Sequence, residues 1–162
     1  MKNNLKARMR ELKKSRTDAG KRALIPVLRE YLAANKLDTA AWYDLACCYD
    51  SLGRENEAEP CYAQVYKGWR GLPEKEQAGF FVGYGSTLRN NNKLARSAAV
   101  LREGVKRFPD YPALKLFLAL TLYTSKNYRS SAGTLFGACL GMPAGVWDGY
   151  DRAINYYVKT LK

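Results

Sequence analysis

The feature that most constrains the fold of this chain is an internal repeat. Gly85 and Ala119 lie 34 positions apart. The same spacing joins Leu88 to Leu122, Leu101 to Leu135, Gly104 to Ala138, and Pro109 to Pro143. The matching positions of the upstream unit are Trp42, Ala46, Tyr49 and Tyr62. Their spacing to the next unit is 39, because five extra residues fall in the connection GWRGLPEKE. A fixed period of this size is typical of stacked units, each too small to bury its apolar face alone.

Each unit is predicted to be two helices joined by a turn, with no strand, because apolar residues recur at helical and not at alternating spacing. In the first unit, Thr39 is the expected N-cap and Gly53 the residue that ends the first helix. Pro73 and Pro112 are well placed at the starts of the corresponding helices. The expected turns are Asn90 to Asn92 in the second unit and Ser125 to Asn127 in the third.

The predicted fold class is therefore all-α, an α-solenoid of three helix pairs. The repeats cover about 39–72, 78–111 and 112–145. One N-terminal helix, roughly residues 19–35, precedes them, and a capping helix at about 146–161 covers the end of the stack through Trp147, Tyr150 and Ile154. Small residues recur at Ala46, Gly85 and Ala119, where the first helix of a pair must approach the second closely.

The segment PALKLFLALTLYTSK, residues 112–126, is apolar almost all the way around when it is placed on a helix. Such a helix must be covered on more than one side. We expect Leu118, Ala119 and Leu122 to face the second helix of the pair. Three further large side chains then need another cover: Leu116, Leu120 and Tyr123.

Charge is concentrated at one end of the chain, whose formal net charge is +12. Residues 1–36 carry 11 Lys and Arg against 3 acidic residues. The sequence predicts a basic arm, residues 1–16, in front of one helical domain, residues 17–162. A solvated arm is one interpretation, and an arm that contacts nucleic acid or acidic partners is the other. With no apolar run of membrane-spanning length and no signal-peptide core, the expected location is the cytoplasm.

The chain offers little that could support catalysis. It has no histidine, which removes most general-base, triad and zinc-water designs. The glycines of GFFVGYGS lack the strand and the Lys-Ser/Thr ending of a phosphate-binding loop. Cys47, Cys48, Cys61 and Cys139 form no CxxC pair, so they are predicted to be small buried apolar residues and neither a zinc site nor a redox pair. No enzyme activity, metal or cofactor is expected.

The repeat unit resembles the tetratricopeptide repeat, and the segments YDSLGRENEAEPCY, GSTLRN, FLAL and YDRAINYY are similar to a small bacterial family, tetratricopeptide repeat group 5. The resemblance covers about residues 24–158 and implies a helical solenoid for protein–protein contact, without catalytic residues. It also implies that Ser97 and Ser131, in place of the customary Ala, weaken the contacts of the second helices. The implied groove positions are Tyr43, Cys47, Asp50, Val82, Ser86, Arg89, Leu116, Leu120 and Tyr123.

Two functions follow as expectations. The favoured one is an interaction module whose concave groove holds a peptide or helix of a partner protein. The alternative is a nucleic-acid-associated factor that uses the basic arm and the basic second repeat; charge alone supports it, and charge alone predicts non-specific contact.

Overall fold

The computed structural model describes residues 2–15, 17–139, 141, 150, 152–153, 156 and 160. Within these residues the regular structure is entirely helical, which confirms the predicted all-α class. A short 3₁₀ turn, Trp69–Gly71, follows the fourth of eight α-helices. The helices are α1 Lys2–Leu12, α2 Asp18–Ala34, α3 Thr39–Ser51, α4 Glu55–Gly68, α5 Glu74–Asn90, α6 Leu94–Arg107, α7 Pro112–Thr124 and α8 Tyr128–Cys139.

The helices stack as consecutive pairs, α3 with α4, α5 with α6, and α7 with α8. In each pair we call the first helix A and the second helix B. The A helices α3, α5 and α7 also contact one another in order, and the B helices α4 and α6 pack on the A helices α5 and α7 that follow them. The largest fully buried side chains, Tyr62, Phe80, Phe81 and Tyr84, lie on α4 and α5. This stacking brings the A helices side by side along one face of the molecule.

The N-terminal residues differ from the expectation of a solvated arm. Helix α1 packs on α2, and the side chain of Met9 is buried at 7% exposure. Leu5 and Leu12 are partly buried against the same core, so residues spaced by four and three positions give α1 an apolar stripe that covers α2. Lys13, just after α1, forms an ion pair with Asp44 on α3. The boundary at residue 16 remains a prediction.

The A helices end alike, at repeat-equivalent residues with left-handed backbone conformation. Gly53, Asn92 and Lys126 have φ of 68°, 58° and 61°. In each case the next residue's N–H bonds back to the helix: Arg54 to the Tyr49 carbonyl, Lys93 to that of Leu88, and Asn127 to that of Leu122. The predicted turns are therefore confirmed as helix-terminating turns of one type.

The N-terminal end of α3 is capped by Asp38. The sequence had suggested Thr39 as the cap. The Asp38 carboxylate accepts the backbone N–H of Ala41 at 2.9 Å, and its other oxygen accepts the Tyr31 hydroxyl of α2 at 2.9 Å. Because Asp38 caps α3 and also binds α2, it fixes the angle between two consecutive helices. Thr39 becomes the first residue of the helix itself.

Close approach of helices A and B is confirmed at Gly85. A Cβ atom placed there would overlap the side chain of Leu101 on α6. The buried serines of the B helices strengthen these contacts, contrary to the expectation that they would weaken them. The Ser97 hydroxyl donates to the Gly85 carbonyl at 2.7 Å, and the repeat-equivalent Ser131 hydroxyl donates to the Ala119 carbonyl at 2.8 Å.

The predicted capping helix, including Trp147 and Ile154, lies mostly outside the described residues. From α8, the Arg129 guanidinium donates to the Thr160 carbonyl, within the predicted capping segment, at 3.3 Å. Tyr150 is exposed. Among the helices that the structure describes, none has the length and apolar character needed to cross a bilayer.

Candidate partner-binding groove

The predicted groove residues lie on the three A helices, at equivalent places in each. Within each helix they are spaced by four and then three positions, so they share one helix face. The sets are Tyr43, Cys47 and Asp50 on α3; Val82, Ser86 and Arg89 on α5; and Leu116, Leu120 and Tyr123 on α7. Their surroundings differ strongly from one helix to the next.

On α3 the groove face is engaged by a tyrosine from helix B. The Tyr62 hydroxyl donates to Asp50 Oδ2 at 2.9 Å and lies 3.9 Å from Cys47 Sγ. Burial raises the pKa of the Cys47 thiol to about 12, so it stays protonated at neutral pH. Burial also raises the pKa of the Asp50 carboxyl, an effect that the Tyr62 hydrogen bond opposes. The Tyr43 ring meets the Phe80 ring edge to face, with the ring centroids 6.2 Å apart.

On α5 the groove face carries an incompletely bonded cation. Val82 and Ser86 are half-buried. Arg89 Nη2 donates to Asn90 Oδ1 at 3.3 Å, but the buried Nε–H of Arg89 has no acceptor among the described residues. A buried charged donor without an acceptor is costly. Arg89 as a whole is half-buried, so it adds a positive charge to this face.

On α7 the groove face is apolar and open. Leu116, Leu120 and Tyr123 are exposed at 45%, 39% and 63%, whereas Leu118 and Leu122 on the other side of the helix are buried. The Tyr123 ring is supported by Tyr128 of α8, with the ring centroids 5.2 Å apart. Adjacent large apolar side chains in such an arrangement are typical of partner sites.

The family described as Tetratrico peptide repeat matches residues 39–161 of the chain. The chain belongs to this tetratricopeptide repeat family. No curated protein and no solved structure shows significant similarity to this chain. The family consists of helical repeat modules that serve protein interaction and are typically non-catalytic, so the general class of this protein is a protein-interaction repeat module.

One tetratricopeptide-repeat position, Tyr62, was identified from the sequence as part of the repeat but not as a residue that shapes the groove. Tyr62 belongs to helix B of the first repeat, yet its hydroxyl reaches the groove face of α3. It can do so because Gly83 on α5 has no side chain; a Cβ atom there would overlap the Tyr62 ring. An aromatic residue on one helix B opposite a glycine on the next helix A is the sequence signal that could have identified this contact.

Two of the four cysteines of this repeat protein, Cys48 and Cys61, are buried as predicted for packing residues, whereas Cys47 and Cys139 are half-buried. Burial raises the pKa of the Cys48 thiol and of the Cys61 thiol to about 11. In the part of the chain that the structure describes, no three His, Cys, Asp or Glu side chains converge in a way that could hold a metal ion.

Proposed function

We propose that this protein is a non-catalytic interaction module that holds an amphipathic peptide or helix of a partner protein against its A helices. The binding surface comprises the α7 side chains Leu116, Leu120 and Tyr123, with Tyr43 and Arg89 at its edge. The observation that carries the proposal is the exposure of these three α7 residues, whereas the equivalent positions of α3 are filled internally.

Each end of the surface suits a different part of the ligand. The leucines and Tyr123 offer apolar area, which is worth about 25 cal/mol per Å² removed from water. Arg89 is half-buried and adds a positive charge at the edge of this surface, so a carboxylate of the peptide would bind beside its guanidinium. The expected ligand thus combines apolar side chains with an acidic group on one face.

The test is a comparison of two variants in affinity capture from the native cell extract, followed by mass spectrometry. Leu120→Glu places a charge in the centre of the apolar surface, so partners retained by the wild type should be lost. Ala99→Glu adds the same charge at an exposed position on α6 and should retain them. Helix content and cooperative melting should be nearly unchanged in both variants. Unfolding of the Leu120→Glu variant, or retention of every partner, would contradict the proposal.

The nucleic-acid alternative is not carried forward. Several of the cations that it relied on are already paired: Lys13 with Asp44, Lys93 with Glu59, and Arg107 with Glu103. Within the described residues nothing specific favours a phosphate backbone over a protein ligand.

A further inference from the structure

A second concavity lies on the opposite side of the repeat from the A-helix groove. It is a trough of about 800 Å³ between α2 and α4, with α3 as its floor. The floor is apolar and includes Leu32, Leu45 and Tyr49, which are buried, and Trp42, which is half-buried. The trough runs along helices on both sides, so its shape is that of a slot for a rod and not of a closed cavity.

The next gap along the stack has the same origin but is bridged by side chains. Between α4 and α6, Lys93 Nζ, at the start of α6, lies 2.6 Å from Glu59 Oε1 of α4, and the Tyr66 hydroxyl donates to Glu103 at 2.5 Å. Between α2 and α4, both described in full, neither a hydrogen bond nor an ion pair is present. The gap between α2 and α4 therefore remains open, whereas the gap between α4 and α6 is bridged by an ion pair and a hydrogen bond.

The charges around the trough define what it can hold. Arg29 on α2 and Lys36 just beyond the end of α2 are exposed, line the trough, and form no ion pair with described residues. They lie seven positions apart in the sequence, Arg29 within α2 and Lys36 two residues beyond its end at Ala34. Arg54, across the trough, is already neutralised by Glu57 and stacks on the Tyr49 ring. Beside Lys36, the Leu37 side chain is 95% exposed at the rim.

We propose that this trough is a second docking site, separate from the A-helix groove, and that its occupant is an acidic amphipathic helix of a partner protein. Apolar side chains of that helix would lie on the floor and against Leu37. Two carboxylates about two turns apart would pair with Arg29 and Lys36. A second copy of the chain is disfavoured as occupant because its net charge of +12 repels another copy.

The probe is a fluorescein-labelled synthetic helix of about five turns, with Glu at positions i and i+7 and Leu at i+3 and i+4 between them. Fluorescence anisotropy against the full chain should give a dissociation constant of about 10 µM at low salt. The double variant Arg29→Glu/Lys36→Glu should weaken binding by about tenfold or more. Arg102→Glu/Lys106→Glu, which makes the same charge change at exposed positions on α6, should bind like the wild type.

A charge-swapped peptide provides the reciprocal test. With Lys in place of both Glu residues, the peptide should bind the Arg29→Glu/Lys36→Glu variant more tightly than the wild type. Leu120→Glu should leave binding of the acidic peptide unchanged, which keeps this site distinct from the A-helix groove.

Four results would overturn the proposal. The first is absence of peptide binding at about 200 µM, a range in which even weak complexes form. The second is equal weakening of binding by both charge-reversal variants, and the third is loss of binding in Leu120→Glu. The fourth is a wild-type dimer in sedimentation that Arg29→Glu/Lys36→Glu dissociates. In the last case a second copy occupies the trough.

Discussion

The first and third helix pairs present the same groove positions in different ways. On α3, Cys47 and Asp50 surround the Tyr62 hydroxyl, and Tyr43 packs on Phe80, so these positions are half-buried. On α7 the equivalent positions hold Leu116, Leu120 and Tyr123, all exposed. The repeat period fixes where the Cα atoms lie, but it does not decide whether a position is internal or open.

The neighbouring helix supplies the difference. Gly79 and Gly83 on α5 leave space for Tyr43 and Tyr62, because a Cβ atom at either position would contact the corresponding tyrosine side chain. The groove face of the first pair is thereby filled by aromatic rings from α3, α4 and α5. Each groove position therefore has to be judged together with the residue sizes of the adjacent unit.

Removal of the central ring of the first region should have the largest effect. Phe80 is fully buried and its ring lies near those of Tyr43, Tyr62, Tyr66, Phe81 and Tyr84. Phe80→Ala should lower the free energy of unfolding by about 3–5 kcal/mol, since it leaves a cavity. Leu120→Ala on α7 should cost no more than about 1 kcal/mol. Urea unfolding followed by circular dichroism measures both, and equal losses would erase the distinction between the two regions.

A methyl group added at the closest helix contact should have the next largest effect. Gly85→Ala places Cβ against Leu101 and should cost about 1–3 kcal/mol through overpacking. The reverse change at the equivalent residue of the third pair, Ala119→Gly, should cost about 1 kcal/mol through backbone entropy. Urea unfolding also tests the cause, because Gly85→Ala/Leu101→Ala should be less destabilised than the sum of the single variants. Simple additivity would show that Leu101 is not the obstacle.

Much of the helical framework could be predicted from the sequence because its signals are local. The 34-residue period can be read directly from the sequence. Gly53 ends one helix and Pro112 starts another through their own backbone preferences. The choice between Asp38 and Thr39 as N-cap was not decidable in this way. Both residue types cap helices well, and the Tyr31 hydroxyl that also binds Asp38 comes from a different helix.

The surroundings of the candidate site depend on contacts between units, which the sequence signals only weakly. The reach of Tyr62 across to Asp50 requires α4, α3 and the glycines of α5 together. The packing of α1 was missed for a similar reason: its high positive charge suggested a solvated arm. Leu5, Met9 and Leu12 cover α2 while the charged side chains remain outside.

Substitutions at the turn residues with left-handed conformation should change the free energy of unfolding less, and the one at Lys126 should raise it. Lys126 adopts the left-handed conformation that Gly53 adopts in the first pair, at a cost of about 1 kcal/mol for a residue with a Cβ atom. Lys126→Gly should therefore raise the free energy of unfolding by up to about 1 kcal/mol, partly offset by the greater entropy of glycine in the unfolded chain. Gly53→Ala should lower it by a similar amount. The thermal midpoints of both variants check these signs, and a destabilised Lys126→Gly protein would contradict them.

The smallest expected effect is a pH dependence confined to the junction of the first two pairs. Burial tends to raise the pKa of Glu59, but hydrogen bonds from Lys93 and Asn91 outweigh this and lower it below the usual value. A carboxyl whose pKa is lower in the folded state stabilises the protein above its unfolded pKa, and this stabilisation is lost as the pH falls through the folded pKa. Because Lys93 is about half exposed, the contribution should be no more than about 1 kcal/mol.

Between about pH 6 and pH 3, where carboxyl groups titrate, the wild type should therefore lose more stability than Glu59→Gln. The raised pKa of Asp50 acts in the opposite direction but equally in both proteins. Urea midpoints across this range measure the difference, and parallel curves would show that Glu59 does not join the two pairs.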